Sequence, residues 1–391
     1  MPPVEPRAQD RDRALSELAA FHGQIAPLFG RREMQRHSEQ YLRGLLLGHG
    51  DRRNAETIAA ASGGVPARAL QRLLSSSPWP VAPVIDVLQR ELANLLNAPD
   101  GHFVLGEIGF PKQGNASVGV ARQVCGLSRS AINQQVGVFL AYASSRGRAL
   151  VDAQLYLPPE WATDFERRRR VGVPDAIVSR SCGELGLTML QQARARGCLT
   201  SNWVAADMPA ERGWAWRDAL DASGWSFVTE VPRGTPVFSA AKVPSAASAP
   251  RAVRQVQDLE TALAGRGWHE VAIETTPGRP VPYHFAVRRV FESRDGDQGH
   301  EVWMLVRRDL AGGGPRYYLS NAPSRSTLSQ LAQVAADCSS LPAIAAYYDK
   351  VGLHDYEVRN WSGWHHHIAL VLLAGAVLLG TTSRSQQSDV V

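Results

Sequence analysis

The chain has 391 residues, 44% of them hydrophobic and 20% charged, the balance of a globular protein that can bury a full core. Its 42 Lys and Arg against 37 Asp and Glu give a formal charge of +5, which permits a nucleic-acid partner without requiring one. Cys125, Cys182, Cys198 and Cys338 lie far apart with no CxxC pair, which argues against a zinc ribbon or a disulfide framework and fits a reducing cytoplasm.

Residues 1–12 are polar and read as a disordered tail, without the apolar region of a signal peptide. Residues 13–99 read as a helical N-terminal domain. SELAAFHGQIAPLF, QRHSEQYLRGLLLG and APVIDVLQRELANLLN space their apolar residues by three and four. Between them, RRNAETIAAASGGVPARALQRLLSS predicts two short helices broken at Gly63-Gly64. Arg31, Arg32, Arg36 and Arg43 give this region a basic character that suits either DNA contact or a plain helical cap.

From residue 100 the period changes. HFVLGEIGF, VGVFLAYAS and ALVDAQLYLP predict three strands, a helix follows over 183–196, NWVAAD is a short strand, a second helix covers 212–222, and SFVTEV is a fifth strand. That order over 100–232 is the first part of an RNase H-like α/β fold, a mixed sheet flanked by helices. Residues 233–324 read as an Ala/Ser/Pro-rich linker and then a β-rich insertion. Helices over 325–381 complete the core, and 382–391 is a second disordered tail. The run IALVLLAGAVLLG has 13 residues, short of the roughly 20 that a membrane span needs. It predicts a buried core helix and no membrane partner.

Several segments resemble the DDE-type transposases of bacterial insertion sequences: VGVARQVCG (118–126), QVGVFLAYAS and LYLP (within 135–158), WVAAD (203–207), WMLVRRDL (303–310), YYLSNAP (317–323) and GLHDYEVRNWSGWHHHIAL (352–370). They stand in family order across 100–370. The resemblance implies three carboxylates that hold two divalent ions around a phosphodiester. The first family Asp falls at Gly106, inside Leu105-Gly106-Glu107. The second is present as Asp207. The third, a Glu, falls at Leu341 or Pro342, and the carboxylates nearest it in sequence, Asp337 and Asp349, are out of register. Side chains alternate across a strand, so Glu107 is expected to point away from the face that Gly106 lines.

One carboxylate of three does not hold two metals. The chain therefore reads as a transposase-derived protein without nuclease activity, metal or cofactor, and as a DNA-binding or regulatory remnant. Its basic candidates for DNA contact are Lys112, Arg167, Arg168, Arg169, Arg170, Arg307 and Arg308. The alternative is a metal-independent enzyme in which Asp207 and Glu107 do acid–base work on a small molecule. His365-His366-His367 does not chelate one ion, because consecutive helical side chains diverge by about 100°. It predicts a helix start with one core histidine. Trp203, Trp214, Trp216 and Trp225 read as core.

Overall fold

The computed structural model describes residues 8–48, 52–126, 130–207, 213–239, 253–261, 267–276, 279–309, 312 and 314–388. The chain begins with α1 (Ala8–Ile25), a 3-10 turn (Ala26–Phe29), α2 (Arg32–Leu47), α3 (Ala55–Ala61), α4 (Ala67–Ser75) and α5 (Val81–Leu96). Asn54 caps α3 by accepting from the backbone N–H groups of Glu56 and Thr57. Gly63 and Gly64, at φ of 87° and 96°, turn the chain between α3 and α4. Gly44 lets α2 lie directly on α3, since a Cβ there would run into Ile58.

The sheet opens with β1 (His102–Pro111), β2 (Ala121–Gln123), β3 (Ile132–Ser144) and β4 (Gly147–Leu155). Helices α6 (Pro159–Thr163), α7 (Phe165–Arg170) and α8 (Cys182–Arg196) lead to β5 (Trp203–Ala206), α9 (Gly213–Ala222) and β6 (Ser226–Val231). Helix α8 begins at a Ser181/Glu184 capping box and stops at Gly197, which adopts the left-handed conformation. β1 pairs antiparallel with β3 and β3 with β4, whereas β1–β5 and β5–β6 are parallel. The order β4-β3-β1-β5-β6, with the first strand central, is the RNase H-like arrangement that the element order predicts.

The insertion comprises β7 (Pro236–Ser239), β8 (Val253–Gln255), α10 (Val256–Thr261), β9 (Trp268–Thr276), β10 (Arg279–Arg294), β11 (Asp297–Asp309) and β12 (Arg316–Ser320). β12 adds antiparallel to β6, so insertion and core share one 12-stranded sheet. Within the expected linker, β7 and β8 pair with each other, and 240–252 lie outside the described residues. A second, smaller core gathers Val237, Val290, Val302, Met304 and Leu319.

Three helices close the chain: α11 (Leu328–Asp337), α12 (Leu341–Asp349) and α13 (Trp361–Ser388). Pro342 sits in the first turn of α12, where a missing N–H costs nothing. The apolar stretch is longer than the sequence suggests: Trp361–Thr381 has the length and composition to cross a membrane, but 83% of its most apolar window is buried inside the molecule. It packs on α1, α2, α4, α5 and β4. Two histidines of the triple, rather than one, are core groups with both ring nitrogens engaged. His366 meets the carbonyls of Leu74 and Trp79, and His367 meets Tyr41 Oη and the Gly352 carbonyl. Both expected tails are partly helical. Residues 8–12 start α1 and 382–388 end α13, while 1–7 and 389–391 lie outside the described residues.

Candidate functional site

Alternation along β1 sets two faces. Leu105 packs against Gly186 of α8. Gly106 faces the other way, and a Cβ built on it would lie 2.9 Å from Leu341 Cδ2 and 3.8 Å from the Asp207 carbonyl. The structure thus brings Gly106, Asp207 and Leu341 together, from the middle of β1, the end of β5 and the start of α12. The Asp207 N–H reaches the Leu105 carbonyl at 3.4 Å, which continues the β1–β5 ladder by one step.

The parallel pair Ala206–Thr229 puts the next residues, Asp207 and Glu230, side by side on one face. Glu230 accepts an ion pair from Arg316 Nη1 at 3.2 Å. Burial raises the Asp207 carboxyl to about 6; Glu230 adds to the rise, Arg316 opposes it, and the more distant Glu107 adds a little. Glu230 and Arg316 escaped the sequence reading. Their signal was the alternation within SFVTEV and PRYYLS, which becomes readable only once β6 and β12 are known to follow β5 across the sheet.

Glu107 does not join Asp207 on this face, which corrects their pairing as a joint acid and base. It points to the α8 side, where its Oε2 accepts from the Gly126 N–H at 3.0 Å and the thiols of Cys125 and Cys182 donate to it. Burial raises its pKa, and these hydrogen bonds offset part of the rise. Trp225 packs on Phe103, and Trp216 donates to the Gly183 carbonyl at 3.1 Å. Asp337 lies near the start of β1, bound to His102 and Arg148, and Asp349 meets His354.

The basic candidates divide. Arg168 is buried, with its guanidinium donating to the carbonyls of Pro174 and Ile177. Arg307 is buried and bound to Asp309 at 2.9 Å. Arg167 stacks on Trp161 at 3.8 Å and donates to the Asn115 and Val120 carbonyls, and Arg308 is held by Glu260 at 2.7 Å. Burial and internal partners remove Arg168 and Arg307 from a phosphate-contact set, whereas Arg167 is half-buried and Arg308 stays exposed beside Glu260. Arg169 and Arg170 are exposed, and Arg169 keeps only a solvated pair with Glu166 at 3.6 Å. Lys112 lies over the Tyr356 ring at 3.8 Å, and burial lowers its pKa to about 8.

Two divalent ions need a set of hard oxygen donors. Around Gly106 the described side chains offer Asp207 and an Arg316-bound Glu230, opposite the methyl groups of Leu341. Among the described residues no group of three or more His, Cys, Asp and Glu is placed to hold a metal. Among the described residues the donor set does not fit a metal pair.

The strand order defines an RNase H-like α/β protein. The family model described as DDE superfamily endonuclease matches residues 24–275, and the chain belongs to that family. The matched range includes Gly106 and Asp207 and ends before Leu341. A solved structure, the NurA nuclease from Sulfolobus solfataricus, is similar at 8% identity and a TM-score of 0.28, over 65% of this chain and 81% of that one. Among curated proteins no match was found.

Proposed function

We propose that this chain is a DDE-family protein that has lost two-metal phosphodiester cleavage and works in the cytoplasm as a DNA-binding protein derived from a transposase. One observation carries the loss: the side chain of Leu341 stands 2.9 Å from where a Cβ of residue 106 would begin. The space that a bridging carboxylate would need is filled by methyl groups. Asp207 is the single carboxylate at the three family positions. Family membership supports nucleic acid as partner, with exposed Arg169 and Arg170 as phosphate contacts. The four free thiols support a reducing compartment.

The test is calorimetric titration of Mn²⁺ into the full chain and into Asp207→Ala, beside metal-dependent nicking of supercoiled plasmid. Neither saturable two-ion binding nor nicking is expected. Tight binding that vanishes in Asp207→Ala would restore the nuclease reading.

A second reading rests on the Asp207–Glu230 pair. A carboxyl raised to about 6 beside an Arg-bound carboxylate suits acid–base work on a small organic molecule. A metabolite screen by thermal shift separates it, since a true ligand loses its effect in Asp207→Asn.

A further inference from the structure

We infer that Lys112 is an acylation site: its ε-amine takes an acyl group from an acyl phosphate, and a positive side chain at the end of β1 becomes a neutral amide. The inference goes beyond the DNA-binding reading and does not depend on it.

Lysine is rare in this chain. Only Lys112, Lys242 and Lys350 stand among its 42 Lys and Arg residues, and a guanidinium, always protonated, is no nucleophile at neutral pH. Lys242 lies outside the described residues, and Lys350 is exposed just past the end of α12. Lys112 is held differently. Asn133 of β3 fixes its backbone twice: the Asn133 carbonyl accepts from the Lys112 N–H at 2.9 Å, and the Asn133 side-chain amide donates to the Lys112 carbonyl at 2.7 Å. The half-buried side chain then lies across the Tyr356 ring, with Nζ 3.8 Å from its centre. Among the described residues no carboxylate is close enough to hold its charge.

Two opposed effects act on that amine. The face of Tyr356 favours the cation weakly, whereas burial without a counter-charge favours the free base. Burial prevails, and the pKa falls to about 8. At pH 7 about one amine in ten is then unprotonated, against fewer than about one in a thousand at the ordinary lysine value. Its titrating neighbours are His367, lowered to about 4, Tyr356, pushed up by burial, and the exposed His354 beside Phe110. The approach is open on the solvent side, where residues 113–116 are exposed. Arg167 donates to the Asn115 carbonyl of this loop at 3.0 Å, and its pairing with the exposed Glu160 is loose, at 3.8 Å. That leaves positive charge near the path of a dianionic acyl phosphate. The amine nitrogen attacks the acyl carbon and a C–N bond forms. The bond from that carbon to the phosphate oxygen breaks, and inorganic phosphate leaves with the proton that the nitrogen sheds.

The experiment incubates the full chain with acetyl phosphate across a pH series and follows the acetylated peptides by mass spectrometry. At pH 7 Lys112 should be acetylated at least about fivefold faster than Lys350, because so much more of its amine is free. Its rate should level off above about 8, where little of the amine remains protonated. Concentrated urea should abolish the difference between the two lysines, since burial creates it. Lys112→Arg should lose this acetylation and keep the circular dichroism melt of the parent. Equal rates for Lys112 and Lys350 in the folded chain overturn the inference, and so does a preference that survives in urea. A Lys112 rate that goes on climbing well above pH 8 overturns it too, because the amine would then titrate as an ordinary lysine.

Discussion

At Asp207 a partly buried carboxylate lies beside Glu230, which holds Arg316. Burial and the neighbouring negative charge together outweigh the arginine, so ionising Asp207 works against the fold. Asp207→Asn keeps the shape and removes the charge. It should stabilise the protein at neutral pH by about 1–2 kcal/mol, discounted for the solvent that still reaches the group. Urea unfolding of the two proteins checks this, and a loss of stability would mean that Arg316 dominates the corner. At this scale part of the site was legible in the sequence. Asp207, Gly106 and Leu341 could be placed because segments such as WVAAD and GLHDYEVRNW anchor the register on either side. Glu230 was not legible, because its place beside Asp207 depends on a parallel pairing between strands 20 residues apart. Nor could arginine number in FERRRR reveal that Arg168 points inward to two carbonyls while Arg169 points outward.

Among elements, α11 shows a tie that periodicity does not reveal. Its last residue, Asp337, accepts from His102 Nε2 at 2.9 Å and from Arg148 Nε at 2.8 Å, and Arg148 also donates to the Glu274 carbonyl of β9. One carboxylate thus joins α11 to β1 and β4, while its arginine reaches the insertion. Burial pushes the Asp337 carboxyl up, yet His102 and Arg148 outweigh it and hold it at about 2. Asp337→Asn leaves a largely enclosed arginine without its buried counter-charge, so it should cost about 2–3 kcal/mol. The measurement is the urea midpoint; a change below about 1 kcal/mol would mean that Arg148 finds water. Apolar spacing made α2, α5 and the five core strands legible to within a few residues. It fell short at the end of α13, which the sequence starts at the histidine triple but which TTSRSQQS carries on to Ser388. It also failed to show that the insertion prolongs the core sheet, since β6–β12 pairing spans some 90 residues of chain.

Across the whole molecule two sets of buried titrating groups oppose each other. His365 and His367 are lowered by burial from 6.5 to about 4. The unfolded chain binds their protons first, so their contribution is full above 6.5 and is lost as pH falls towards 4, by about 3 kcal/mol each at most. Asp207 and Asp152 are raised, chiefly by burial, from 3.8 to about 6. Here the folded state binds protons first. Their contribution is full below 3.8 and is lost as pH rises through 6, again by about 3 kcal/mol each at most. Between these limits the two sets nearly cancel. Asp337 has no such opponent: its contribution is full above 3.8 and is lost as pH falls to about 2. His22 and His366, also lowered by burial, add to the loss and Glu107, raised by burial, opposes it, so stability should decline only gently from neutral pH down to 4 and fall steeply below that. Urea midpoints across this range test the balance. A steep, steady loss beginning at 6.5 would show the buried histidines unopposed and Asp207 titrating as an ordinary carboxylate. In Asp207→Asn the plateau should tilt, because one raised carboxylate is gone, and its advantage over the parent should vanish below 3.8, where the parent aspartate is itself neutral.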